Sequence, residues 1–251
     1  MQLITEGIDN ARFAEAARRC AMEEKISDGF SVYAERAVHK TVKLYLEPKA
    51  ERHEIPLLGG VADIFGDDEV IEVQTGAFTP LLPKLRRFLP HYKVTLVHPY
   101  AIHTVHKWLD PETGEISSPK ARGSARTLYS VCRELYGIRE LIGNENLRVV
   151  ILAYECEEFR KLDGWDKSHK RGATLLAKMP TRLVGELRLC TAEDYREFLP
   201  EGLPQRFTRK EYMKLIRSRS RYDGVCLKLL ESLGIIRLAG KEGRAHVYEC
   251  I

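Results

Sequence analysis

Asp63, Glu72 and Gln74 are the residues of this chain whose types and spacing best suit chemistry. The stretch 60–76 reads Gly-Val-Ala-Asp-Ile-Phe-Gly-Asp-Asp-Glu-Val-Ile-Glu-Val-Gln-Thr-Gly. It predicts a β-hairpin turning at Gly66-Asp67-Asp68. Side chains at i and i+2 on a strand share a face. Glu72 and Gln74 therefore point one way, and Ile71 and Val73 the other. With Asp63 opposite them, two carboxylates and an amide converge. Hard oxygen atoms in such a cluster suit Mg²⁺ or Mn²⁺. Two like charges held close repel unless a cation or a proton intervenes. The same residues also fit a solvated hairpin with charges on its outer face.

The elements that must hold these residues follow from periodicity and from breakers. Helices are expected over 9–25, with Asp9 as N-cap, and over 30–46, between Ser27-Asp28-Gly29 and Pro48. In the second, Glu35 and His39 are four apart and share a side. Residues 53–58 read as a first strand, ending at Gly59-Gly60. Thr79-Pro80 opens a helix, with Thr79 as N-cap and Pro80 at the first helical position. Leu81, Leu82, Leu85 and Leu89 form its apolar stripe. Lys84 lies off that stripe, where it is either a surface residue or free to swing toward the acids. Residues 93–98 make a central strand that continues as a ribbon to 109. A helix over 127–141, strands over 147–154 and 183–189, and a short helix from Thr191 complete the first part. The sheet is expected to be mixed and covered by helices, an α/β class.

The Asp63, Glu72, Gln74 pattern and this element order resemble the PD-(D/E)XK nuclease superfamily. Its motif is an Asp in one strand, then Glu/Asp-x-Lys in the next. Gln74 stands where the superfamily usually has Lys, as in its Glu-x-Gln members. The resemblance implies a restriction-endonuclease-like fold and metal-dependent phosphodiester hydrolysis. Asp63 and Glu72 would hold Mg²⁺ or Mn²⁺, with Gln74 positioning water. Glu35 matches the position of a helix acid that often assists, and Lys84 would supply the missing positive charge. The runs around 71–78, 84–90 and 96–99 also resemble a bacterial family whose first part is nuclease-like.

Pro200-Glu201-Gly202-Leu203-Pro204 reads as a linker, giving domains over 1–200 and 204–251. The second has a Ser/Thr-x-x-Glu capping box at Thr208–Glu211, two helices around a basic turn, Gly234 past the second helix, and a hairpin at 240–243. This pattern resembles a winged helix-turn-helix. In that family the second helix enters the major groove. Arg217, Arg219 and Arg221 would then meet DNA, with Lys241 and Arg244 in the wing.

Charge is uneven. The net is +4 overall, with +6 on residues 204–251 and −2 on the rest. This points to a polyanion at the C-terminal end, or to a solvated basic face. The 44% apolar and 30% charged composition argues against disorder. No apolar run approaches a membrane span. The six cysteines form no C-x-x-C pair and read as buried thiols of a reducing cytoplasm. His98, His103 and His106 read as structural or exposed rather than as metal ligands. Three functions follow as expectations. One is a DNA endonuclease acting on duplexes, with a homodimer needed to cut both strands. The second is a catalytically inactive nuclease-fold protein that binds DNA or regulates. The third is a protein-interaction scaffold without nucleic-acid affinity at moderate salt.

Overall fold

A computed structural model describes residues 2–24, 33–117, 124–161, 163, 174–217 and 223–251. Two helices lead the chain, α1 (Asn10–Glu24) and α2 (Tyr33–Leu46). The Asp9 carboxylate accepts the Arg12 N–H at 2.9 Å, as an N-cap does. Three antiparallel strands follow: β1 (His53–Leu57), β2 (Gly60–Gly66) and β3 (Glu69–Val73). Both hairpins turn through two residues of positive φ, Leu58-Gly59 (50°, 73°) and Asp67-Asp68 (54°, 60°). Paired positive φ is what a two-residue turn needs to match the twist of its strands.

A 3₁₀ turn (Thr79–Leu81) and α3 (Leu82–Phe88) then cross to β4 (Lys93–Leu109), which lies parallel to β3 with Glu72 opposite Leu96. Two short strands, β5 (Ile116–Ser117) and β6 (Ser124–Ala125), pair with β4. After α4 (Cys132–Tyr136), β7 (Leu147–Lys161) runs parallel to β4, and β8 (Thr174–Leu189) returns antiparallel. The sheet is therefore mixed, in the order β1-β2-β3-β4-β7-β8, and is flanked by helices. Alternation along β4 feeds two cores. Val94 and Leu96 pack toward α3 and α4, while Val97 packs toward α1 and α2.

The last segment holds β9 (Arg206–Thr208), α5 (Arg209–Leu215), α6 (Val225–Ser232), β10 (Ile236–Glu242) and β11 (Ala245–Cys250), with strand order β10-β11-β9. The capping box forms: Thr208 N–H donates to Glu211 Oε2 at 2.7 Å, and Glu211 N–H to Thr208 Oγ1 at 3.3 Å. This segment shares one continuous core with the body. Tyr212 O–H donates to the Phe198 carbonyl at 2.8 Å.

Several details differ from the sequence expectation. β7 and β8 run well beyond 147–154 and 183–189, because their distal halves mix charged with apolar residues and hide the strand pattern. The helix expected over 127–141 is broken into 3₁₀ turns around a five-residue α4. Gly137, a weak helix former, still holds helical angles, and the backbone leaves them at Ile138 (φ −118°, ψ 14°). Phe78, not Thr79, precedes the turn before α3, and no side chain caps it. Lys241 sits within β10, opposite His246, and the hairpin turns at Gly243-Arg244. Cys132 and Cys226 are paired as a disulfide rather than held as thiols, while Cys156, Cys190 and Cys250 are in no disulfide among the described residues. No helix among the described residues is long and apolar enough to cross a membrane.

Candidate active site

β2 and β3 pair only from Ile64↔Ile71 to Gly66↔Glu69. Beyond Ile64, β2 stays with β1; beyond Ile71, β3 stays with β4. The sheet forks there, and a fork leaves backbone N–H groups without strand partners. Carboxylates fill the gap. Val73 N–H donates to Asp63 Oδ2 at 2.8 Å, and Asp63 N–H lies 3.4 Å from Glu72 Oε1.

Basic neighbours complete the cluster. Lys84 Nζ donates to Glu72 Oε2 at 2.6 Å from the first turn of α3. His39 Nε2, on α2, lies 3.3 Å from Asp63 Oδ2. An ionised carboxylate only accepts, so His39 carries its proton on Nε2. Lys43, one turn further along α2, pairs with Glu54. Glu54 falls between His53↔Ile64 and Ile55↔Ala62, opposite Asp63, and holds φ at +54° inside a strand. A non-glycine residue in that region is strained, and such strain persists where its surroundings impose it.

The two acids are driven apart. Burial acts most strongly on Asp63 and pushes its pKa up. His39, through hydrogen bond and charge, outweighs that effect together with the Val73 amide and the Lys84 ammonium, so Asp63 lies below its ordinary value. Glu72, only 2% exposed, is pushed up to about 7. Burial is the main cause and the Asp63 charge the second; Lys84 pulls the other way and does not prevail. One carboxylate is thus held ionised, and its neighbour needs a proton or a cation near neutrality.

Of the expected residues, the fold brings Asp63, Glu72 and Lys84 together. Gln74 is adjacent, but its side-chain N–H donates to the Ala77 carbonyl at 2.8 Å, closing the turn after β3. Its backbone carbonyl accepts from His98 Nδ1 at 2.6 Å. Glu35 has its backbone in α2, but its side chain lies outside the described residues, as do Arg219 and Arg221. Arg217, Lys241 and Arg244 are exposed, far in sequence from the fork. The sequence reading placed His39 on the Glu35 side of its helix but gave it no role. Lys43 and Glu54 carried no local signal, since they meet only when α2 packs on the sheet.

Among the described residues, no three His, Cys, Asp or Glu side chains group as a metal cage. Mg²⁺ is often held by one or two carboxylates, with water and substrate phosphate completing the shell. Asp63 and Glu72 fit that limited role. The raised pKa of Glu72 is the observation that favours a cation there.

Fold and site together define a mixed α/β protein with a buried acid–base cluster in a sheet fork. Residues 36–190 match the family described as a domain of unknown function (DUF8091), and the chain belongs to that family. It is also similar to an uncharacterized protein of Treponema pallidum (strain Nichols), 30% identical over 133 residues. The match spans about half the length of each chain, 51% of both. No solved structure matches the chain.

Proposed function

We propose that this chain is a metal-dependent nuclease of the PD-(D/E)XK kind, hydrolysing phosphodiester bonds of duplex DNA. The observation that carries this reading is the meeting of Asp63 and Glu72 at the fork, with Lys84 Nζ 2.6 Å from Glu72. Element order supports it: a helix, a three-stranded antiparallel meander, a crossing helix, then a strand parallel to the third. That is the order expected of a restriction-endonuclease-like core.

Asp63 and Glu72 would hold Mg²⁺ or Mn²⁺, which supplies a more acidic water and offsets charge on the phosphate. His39 and the Val73 amide keep Asp63 ionised and oriented. Lys84 holds Glu72, and its ammonium would supply beside a phosphate oxygen the positive charge that Gln74 lacks.

The strand order β10-β11-β9 around α5 and α6 suits a winged helix. The start of α6 is occupied, however. Asp223 accepts from Ser130 Oγ at 2.7 Å, and Cys226 is bonded to Cys132. Exposed Arg217 and Lys241 and Arg244 of the hairpin would contact DNA, with α6 as a packing element; Arg219 and Arg221 lie outside the described residues.

A second reading, an inactive nuclease-fold protein that binds DNA, draws on the Gln74–Ala77 bond and the Lys84–Glu72 pair. Cleavage of supercoiled and linear duplex with Mg²⁺ or Mn²⁺ separates the two. Nuclease activity predicts metal-dependent cutting that Asp63→Asn and Glu72→Gln each reduce at least ~100-fold, on the scale of losing one electrostatic contact to a transition state. Duplex binding without cutting by the parent protein would favour the inactive form.

A further inference from the structure

Past the end of β3, over the middle of β4 and the second half of β7, lies a cleft of about 360 Å³. Thr75 to Ala77 line it one residue beyond Gln74, and Val38 lines it one residue before His39. The cleft thus adjoins the acid cluster without including either acid.

Its lining has an excess of cations. Arg126, Arg160 and Lys178 face Glu134 and Glu158. Glu158 is 6% exposed and serves several neighbours: Arg160 Nε at 2.5 Å, His106 Nδ1 at 3.4 Å and Lys178 Nζ at 3.9 Å. His106 Nδ1 is buried and makes no hydrogen bond. The Arg126 guanidinium lies 4.5 Å from the Tyr100 ring centroid, and no carboxylate among the described residues pairs with it. Stacking on an aromatic face holds a guanidinium in place while leaving its edge donors available.

His98 adds no charge at neutral pH. It is 4% exposed and, held mainly by burial, its pKa is about 4. Its Nδ1 donates to the Gln74 carbonyl, which leaves Nε2 as an acceptor. The cleft thus presents preorganised donors in cationic excess beside a buried neutral imidazole.

We propose that this cleft binds a phosphate of a polynucleotide strand, with Arg126 and Lys178 as direct contacts and Arg160 braced between that phosphate and Glu158. The inference rests on reading the fork as a phosphodiester site. It adds a strand-holding subsite beside the fork, on residues remote in sequence from the basic C-terminal segment.

The test is fluorescence anisotropy of a labelled short single strand and a labelled short duplex, without metal, as salt is varied. The proteins are the full chain, Arg126→Ala, Lys178→Ala and, as a surface control outside the cleft, Arg188→Ala; thermal unfolding verifies each fold. Each cleft variant is expected to weaken binding about three- to tenfold and to lower the salt dependence by about one counterion. Arg188→Ala should match the parent. Inorganic phosphate and a mononucleotide serve as competitors. Displacement by either at concentrations matching the strand would overturn the strand assignment in favour of a free ligand. Unchanged binding by folded Arg126→Ala and Lys178→Ala would remove the cleft and leave the nuclease reading standing. Cleft-dependent binding with no cutting under any metal would do the reverse. No binding by the parent at low salt would overturn both.

Discussion

Glu72 and Asp223 are both buried carboxylates, 2% and 1% exposed, and their surroundings differ in kind. Asp223 accepts a hydrogen bond from the neutral Ser130 hydroxyl and joins the start of α6 to the body. Around it, local and long-range features agree: the capping box, the Tyr212–Phe198 bond, the shared apolar core and the Cys132–Cys226 link. Glu72 sits in a sheet fork beside Asp63, which lies opposite a strained Glu54, and its pKa is pushed up to about 7. Agreement between levels marks a region kept for structure. A retained electrostatic conflict marks a region kept for function.

The comparison breaks most clearly through packing. Phe207, at the start of the C-terminal segment, is 1% exposed and stacks near Tyr212 and Tyr248. Phe207→Ala should lower stability by about 3–5 kcal/mol in a denaturant titration, with cleavage per folded molecule unchanged. A loss of cleavage at unchanged stability would give the C-terminal segment a part in the chemistry beyond the DNA contact proposed for it.

The next effect is in pH. A carboxyl with a raised folded pKa binds its proton more tightly in the folded state, so its contribution is present below about 4.5 and lost as pH rises through about 7. His98 runs oppositely, because its folded pKa is depressed to about 4; its contribution grows between about 4 and 6.5. The Glu72 effect is therefore read as a difference. Relative to Glu72→Gln, the parent should lose on the order of 3 kcal/mol between pH 4.5 and 8. A parallel pH course for both proteins would mean that Glu72 is not strained by its setting.

Smaller effects sharpen the contrast. Thr208→Ala should cost about 1 kcal/mol by removing the cap of α5, with no change in metal-dependent activity. Gln74→Ala, which removes the turn-closing bond to Ala77, should cost about 1 kcal/mol and leave cleavage within a few-fold of the parent. A collapse of cleavage in Gln74→Ala with the fold intact would restore Gln74 to the chemistry.

The same contrast explains what could be read in advance. The hairpins, α1, α2 and the C-terminal order were legible because turn residues, caps and alternation are local signals. Asp63 and Glu72 were legible because a two-residue period fixes which way a strand residue points. The roles of His39, Lys43 and Glu54 were not, since helix-on-sheet packing brings them together and nothing in their spacing encodes it. Lys84 was legible as a candidate only: its place in the first turn of α3 gave reach, but the fork supplied its target. The docking of α6 depends on the approach of Cys132 to Cys226 across 94 residues, which no neighbouring residue announces.

The most direct test of the contrast is the paired substitution Glu72→Met with Lys84→Met, followed by denaturant unfolding and DNA cleavage on the same preparation. Replacing a buried ion pair with apolar groups of similar size is often neutral or stabilising by about 1–4 kcal/mol. If the cluster is kept for chemistry, the double variant unfolds at an equal or higher denaturant midpoint and its metal-dependent cleavage falls to background. A double variant that is several kcal/mol less stable, or one that cuts DNA as the parent does, would contradict the account.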